Sequence, residues 1–101
     1  MSEFAKKLTL TGASADRLST LLAAAGFTIT IPYTLIVRAT KTNTASIYVG
    51  SSSGVDDSTG FEIEPGDTYE IAGDRPSPIQ VSQYYFYAPT AAQGLEVWLH
   101  G

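Results

Sequence analysis

The chain has 101 residues, with ten acidic and six basic side chains, a formal net charge of −4 and no cysteine. This length fits one domain with a single core, and the apolar fraction of 44% is typical of folded globular proteins. The negative charge argues against nucleic-acid binding, and the lack of cysteine excludes disulfides, thiolate catalysis and cysteine-bound zinc. No run is long and apolar enough to span a membrane, and residues 18–27 are too short and too polar for a signal peptide. We therefore expect a protein that is made and folded in a cytoplasm.

Short alternations of apolar and polar side chains along the chain predict strands. They cover residues 4–11, 34–40, 47–49, 61–64, 69–71, 79–81, 84–88 and 95–99. The lysines of the first favour a position at a sheet edge, and Pro32 divides the apolar stretch before the second. With turns about every ten residues, the pattern predicts a mainly β fold. We expect an antiparallel β-sandwich or small barrel of about six to eight short strands, formed as one domain over residues 1–101.

One segment near the N-terminus, "SADRLSTLLAAAGF" (residues 14–27), predicts a short helix. Leucine and alanine recur at helical spacing, which gives about three turns. Ser14 or Asp16 would cap the first turn, and Gly26 would end the helix in the left-handed conformation. The alternative is an extended segment over residues 17–22.

Two connections have recognisable turn chemistry. The sequence "EPGD" (residues 64–67) predicts a type II turn, because Pro65 fixes φ at its second position and Gly66 accepts positive φ at its third. Residues 50–60 are rich in serine, aspartate and glycine. This segment lacks the lysine and the following helix of a phosphate-binding loop, so we expect a mobile surface loop.

No set of residues predicts catalysis, a bound metal or a resident cofactor. His100 is the only histidine, and no residues of the right type accompany it for a catalytic triad. The acidic residues that lie close together in sequence are Asp56, Asp57, Glu62, Glu64, Asp67, Glu70 and Asp74. Their spacing does not match an EF-hand calcium loop, and so short a chain has little room for the sugar cleft of a glycosidase. A solvated acidic face is the preferred interpretation, with calcium binding as the alternative.

The run "QYYFYAP" (residues 83–89) contains four consecutive aromatic residues. Because successive strand residues point to opposite faces, placing Tyr84 and Phe86 inside puts Tyr85 and Tyr87 outside. Either the outward tyrosines form a surface for a partner subunit or a sugar, or the strand is buried on both faces by a second sheet and the helix. Trp98 leaves the same two alternatives open.

The segment "NTASIYVG…STGFEIEPGDTYEI" resembles small virion proteins of tailed bacteriophages. In that family an asparagine precedes an Ile-Tyr-x-Gly strand, which is followed by a short loop, a glycine, an apolar strand and a Pro-Gly-Asp/Glu turn. The matching positions are Asn43, Ile47, Tyr48, Gly50, Gly60, Ile63, Pro65, Gly66 and Asp67. The segment "ADRLST" (residues 15–20) also resembles these proteins, whereas "QYYFYAP" and "EVWLHG" do not match the pattern.

The resemblance implies a non-enzymatic phage structural protein that decorates or stabilises the capsid, or another part of the virion, through protein–protein contacts. We expect self-association, with a trimer favoured, and binding to the major capsid protein or another virion protein. We expect no nucleic-acid or membrane partner, and a location in the virion after assembly in the host cytoplasm. The residues expected at the interface are Leu18, Leu21, Leu22, Tyr85, Tyr87 and Trp98. The alternative is a small carbohydrate-binding module that uses exposed aromatic side chains.

Overall fold

The computed structural model describes residues 3–27, 34–72, 81–90 and 93–100. Within these residues, eight strands form two antiparallel sheets of four strands each. The elements are β1 (Glu3–Thr9), β2 (Ser14–Arg17), α1 (Leu18–Ala24), β3 (Thr34–Ala39), β4 (Ile47–Gly50), β5 (Phe61–Ile63), β6 (Thr68–Ala72), a 3-10 turn (Val81–Gln83), β7 (Tyr85–Ala88) and β8 (Gly94–His100). The prediction of a mainly β, antiparallel sandwich with one short helix is therefore confirmed.

The strand order places distant parts of the chain side by side. The first sheet has the order β1-β8-β3-β6 and the second has the order β2-β7-β4-β5. Successive strands alternate between the two sheets, except that β4 and β5 pair with each other within the second sheet. This is the strand order of a jelly roll, the eight-stranded double-sheet architecture that also occurs in viral capsid and lectin domains.

The core lies between the two sheets and follows the alternation of the strands. In β3 every second side chain is buried, as the pattern of its sequence predicts. The first sheet contributes Leu8, Leu35, Val37, Ala39, Leu95, Val97 and Leu99, and the second contributes Ile47, Val49, Ile63, Phe86 and Ala88. Each fully buried leucine, valine or phenylalanine contributes about 1.5–3 kcal/mol through removal of apolar surface from water. This core fixes which side chains of each strand point outward.

The start of the predicted helix is wrong. Residues Ser14–Arg17 form strand β2 and pair with β7, and α1 has only seven residues. The expected cap does not form, because the Asp16 carboxylate instead accepts hydrogen bonds from the backbone N–H and the hydroxyl of Thr11, at 2.9 and 2.8 Å. The end of the helix is confirmed, since Gly26 follows it with a φ of 87°.

The ends of the predicted strands differ in detail from the structure. Phe61, the first residue of β5, pairs with the buried Val49 and so shares the face of Ile63, but it is 62% exposed there, with its ring 5.1 Å from the ring of Tyr69. Val81 belongs to a 3-10 turn rather than to a strand, and residues 79–80 of that predicted strand lie outside the described residues, as does Pro32. The edge position expected for the first strand is confirmed by the place of β1 at one end of its sheet.

The turn over residues 64–67 has the predicted type II form. Gly66 has a φ of 88°, and the N–H of Asp67 donates to the carbonyl of Glu64 at 2.9 Å. The loop over residues 50–60 lies at the surface, as expected, but it is anchored from within. Val55 is buried, and the Asp56 carboxylate accepts bonds from the backbone and side chains of the two residues at 58–59.

Asn43 joins the β3–β4 connection to the start of β8. Its Nδ2 donates to the carbonyl of Gly94 at 2.9 Å, and its Oδ1 accepts from the N–H of the same residue at 2.8 Å. Beside it, the side-chain carbonyl of Gln93 accepts from the N–H of Thr44 at 2.9 Å. The Asn43 side chain thus provides an acceptor for the partly buried N–H of Gly94 and shares the Gly94 carbonyl with the N–H of Thr40, so Asn43 has a structural role.

We predict that Asn43→Ala lowers the free energy of unfolding by about 1–3 kcal/mol, because it removes the acceptor of the partly buried N–H of Gly94. Chemical denaturation followed by circular dichroism measures the effect. Thr42→Ala, at an exposed position of the same turn, is the matched control and is expected to leave the midpoint unchanged. Equal midpoints for the two variants would contradict this structural role.

Candidate functional site

The outer face of the second sheet carries a cluster of three tyrosines, Tyr48, Tyr85 and Tyr87, here called the tyrosine face. Phe86 and Ala88 are buried, so the residues that alternate with them in β7 point outward. Strand register places Tyr48 of β4 directly beside Tyr87. The sequence therefore predicted two of the three rings on this face, and the pairing of β4 with β7 adds the third.

The tyrosines of this face contact one another and one cation. The rings of Tyr48 and Tyr87 are 6.5 Å apart between centroids and inclined at 53°, a tilted arrangement that is favourable for aromatic pairs. The guanidinium of Arg17 lies 5.1 Å from the centre of the Tyr85 ring, and its Nε donates to the Tyr85 hydroxyl at 2.8 Å. Each of the three rings is thus in contact with a side chain of a neighbouring strand, and all three remain partly exposed.

The partial exposure excludes one of the two alternatives left open for the "QYYFYAP" strand, burial on both faces. Tyr85 and Tyr87 remain partly exposed, so the strand is not buried on both faces. The helix does not cover the tyrosines, because Leu18 and Leu22 point into the core and are fully buried. What the structure presents is a partly desolvated aromatic face on a sheet.

Acidic neighbours act on the hydroxyl of Tyr48. Burial raises the pKa of this group above its ordinary value, and the nearby carboxylates of Glu62 and Asp57 raise it further. Glu62 lies directly beside Tyr48 in the register of β4 and β5, and its carboxylate accepts a bond from the Ser46 hydroxyl at 2.7 Å. The tyrosine face thus runs from a basic residue on β2 to an acidic one on β5.

The outer face of the first sheet carries a separate aromatic site around Trp98. Trp98 lies between Ala5 and Ile36 in the strand register, and it lines an open depression of about 670 Å³. Its ring is stacked on that of His100, with 5.3 Å between the ring centres and 8° between the planes. His100 is therefore a stacking partner of the indole.

A row of charged residues borders the same depression. Glu96 pairs in register with Lys7 on one side and Arg38 on the other. Arg38 donates to the Glu96 carboxylate from Nη2 at 2.5 Å and from Nε at 3.1 Å. This bonding, opposed by desolvation, lowers the pKa of Glu96, so the carboxylate is ionised at neutral pH.

The interface residues expected from the sequence do not form one surface. Tyr85 and Tyr87 lie on the outer face of the second sheet, and Trp98 lies on the outer face of the first. Leu18 and Leu22, spaced one helical turn apart, are fully buried in the core and are not available to a partner, and Leu21 is partly buried against it. The expectation that this helix contributes interface leucines is therefore corrected for Leu18 and Leu22.

The sequence reasoning missed Arg17 and Tyr48. Tyr48 alternates with the buried Ile47 and Val49, and that alternation alone places it outward. Its position beside Tyr87 depends on the pairing of β4 with β7, which sequence spacing does not define. Arg17 had been placed in the helix, so its position on the tyrosine face could not be predicted.

The acidic residues do not converge on a metal site in the described part of the chain. No group of three or more histidine, cysteine, aspartate or glutamate side chains lies there in an arrangement suited to a metal ion. Asp56 is occupied within its own loop, where the hydrogen bonds from Ser58 and Thr59 lower the pKa of its carboxyl. Asp74 lies outside the described residues, and among the described helices none is long and apolar enough to cross a membrane.

Comparison of the chain with protein-family models, with curated proteins and with solved structures finds no match.

We predict that the wild-type protein loses stability relative to Tyr48→Phe as the pH rises above about 10. The pKa of Tyr48 is raised in the folded state, so the folded protein keeps the hydroxyl proton to higher pH than the unfolded chain does. The contribution of this group to the free energy of unfolding is therefore fully present below the ordinary tyrosine pKa and is lost as the pH passes through the raised value. Urea denaturation of both proteins at neutral and alkaline pH measures the difference. Glu62→Gln should make the loss smaller, and identical pH dependences for wild type and Tyr48→Phe would contradict the assignment.

Proposed function

We propose that this chain is a non-enzymatic structural protein of a bacteriophage virion that binds an assembled protein shell through its tyrosine face. The observation that carries the proposal is the cluster of three partly exposed tyrosines on one outer face of the sandwich. Tyrosine is enriched at protein interfaces because its ring offers a large contact area and its hydroxyl a hydrogen bond. The shell partner is the major capsid protein or another virion protein.

The architecture supports this proposal without deciding it. Jelly rolls serve as building blocks of viral capsids, and they serve as lectins and other proteins as well. The turn and core residues that resemble phage virion proteins have structural roles here. Gly66 forms the tight turn after β5, Asn43 binds the backbone of Gly94, and Ile47 is part of the core.

The tyrosine face is suited to adhesion because little conformational freedom remains to be lost on binding. Its rings are borne by paired strands rather than by loops, and Arg17 restrains Tyr85 through a hydrogen bond and the cation–ring contact. Side chains that are already ordered cost less entropy at an interface than mobile ones. A protein that binds the assembled shell and not its free subunits stabilises the shell by mass action.

The gene neighbourhood and a binding assay test the proposal. We expect the gene to lie beside capsid or tail genes, and the purified protein to sediment with empty shells of the phage that encodes it. A gene outside any virion cluster, together with no sedimentation at protein concentrations well above micromolar, would contradict the proposal. Saccharide binding that is lost in Tyr85→Ala or Tyr87→Ala would instead favour a carbohydrate-binding module.

We predict that Tyr87→Ala weakens shell binding by about 30-fold, the effect of removing an interface residue that contributes about 2 kcal/mol. Co-sedimentation over a range of protein concentrations measures the affinity, and circular dichroism verifies the fold. Trp98→Ala is the matched control, because it removes an aromatic ring from the opposite face and should leave shell binding unchanged. The reverse result, with binding lost only in Trp98→Ala, would overturn the assignment to the tyrosine face.

Self-association accompanies the proposed role, with three copies as the expected form. Light scattering of the purified protein should give about three times the 10.7 kDa mass of one chain. In a closed ring of three subunits, each subunit uses two different surfaces to contact its neighbours. Substitution of residues on either surface should therefore give monomers. A mass of one chain at millimolar concentration would exclude the trimer.

A further inference from the structure

We infer that the depression beside Trp98, on the outer face of the first sheet, binds the ring of a neutral sugar. This site lies on the face opposite the tyrosines, so it is independent of the proposed shell contact. It is formed by strands β1, β8 and β3, whose pairing is continuous across the site. Residues on paired strands are held in place more accurately than residues on loops, and ligand sites benefit from that rigidity.

The indole of Trp98 is stacked on His100 and also borders the depression. His100 lies parallel to it on one side, whereas the depression is lined by Trp98 and not by His100. The depression therefore borders the indole and not the imidazole. Ala5 and Ile36 flank Trp98 on the neighbouring strands and complete an apolar wall. Such a wall matches the C–H face of a pyranose ring, which is apolar and presses flat against an aromatic surface.

The opposite side of the depression is polar and carries both kinds of hydrogen-bonding group. Lys7 and Arg38 are donors, and between them Glu96 is an acceptor. A sugar hydroxyl both donates and accepts, so adjacent hydroxyls can pair with a carboxylate and a cation at once. An anionic ligand would face the Glu96 carboxylate, and a cationic ligand would face Lys7 and Arg38. The mixed row therefore favours a neutral polyhydroxylated ligand.

The charged row is ordered before any ligand arrives. Arg38 donates two hydrogen bonds to Oε1 of the Glu96 carboxylate, at 2.5 and 3.1 Å. The volume of about 670 Å³ falls within the range of about 300–1,000 Å³ that is usual for small-molecule sites. The depression is open to solvent, so we expect weak binding of a single ring and tighter binding of an oligosaccharide.

The intrinsic fluorescence of the protein reports directly on this site, because Trp98 is the only tryptophan of the chain. The wild-type protein is titrated with glucose, galactose, mannose and N-acetylglucosamine, and with N-acetylneuraminic acid as the anionic comparison. We expect a saturable change for at least one neutral sugar, with a dissociation constant near 1 mM, about −4 kcal/mol. No saturable change up to about 50 mM of any neutral sugar, or saturation by the anionic sugar alone, would overturn the inference.

Variants separate a specific site from a general effect on the indole. Glu96→Gln keeps the tryptophan, removes the ionised acceptor and should weaken binding at least tenfold in the same fluorescence titration. Trp98→Ala removes the platform, and calorimetry should then detect no binding. Tyr87→Ala, on the opposite face, is the matched control and should keep the wild-type affinity. Unchanged sugar affinity in Glu96→Gln would overturn the proposed sugar site. Loss of shell binding in Tyr87→Ala would test the tyrosine face and not the sugar site.

Discussion

The burial of Phe86 between the two sheets is the contact on which the tyrosine face depends. Side chains of a strand alternate between its faces, so burying Phe86 and Ala88 forces Tyr85 and Tyr87 outward. A shift of one residue in the pairing of β7 would put two tyrosines into the core and two apolar residues into water. The core therefore holds the register, and the register places the aromatic surface. The same rule applies on the first sheet, where buried Val97 leaves the alternate positions of β8 to Glu96 and Trp98.

Much of this architecture is present in local sequence patterns, and the failures have identifiable causes. The alternations around Leu35, Val37 and Phe86 define strands and their inner faces, and the chemistry of Pro65 and Gly66 defines a turn, because these preferences act within a few residues. The helix start was predicted wrongly because the Asp16 carboxylate has two possible partners, a free amide of the helix or the N–H of Thr11. Local sequence preferences do not show which of the two partners Asp16 binds, because the pairing of β2 with β7 determines that it binds Thr11.

The composition of each candidate site was harder to predict than the strands that bear it. Tyr48 and Tyr87 are far apart in sequence and meet because β4 pairs with β7, and Lys7 and Arg38 meet Glu96 because β8 lies between β1 and β3. Such neighbours follow from the order of strands in a sheet, which a single sequence does not reveal. The helix leucines Leu18 and Leu22 were predicted to contact a partner, but they are buried in the core of the chain itself. The two sheets carry two separate aromatic faces, for which we propose a protein contact on one side and a small ligand on the other.

The central claim is that the tyrosine face, and not the Trp98 face, makes the contact with the shell. Oxidative footprinting with mass spectrometry tests this most directly, because it measures the solvent access of individual side chains in the free and the shell-bound protein. The account predicts that Tyr48, Tyr85 and Tyr87 are labelled in the free protein and protected in the complex, while labelling of Trp98 stays the same. Equal labelling of the three tyrosines in both states, or protection of Trp98 instead, would contradict it.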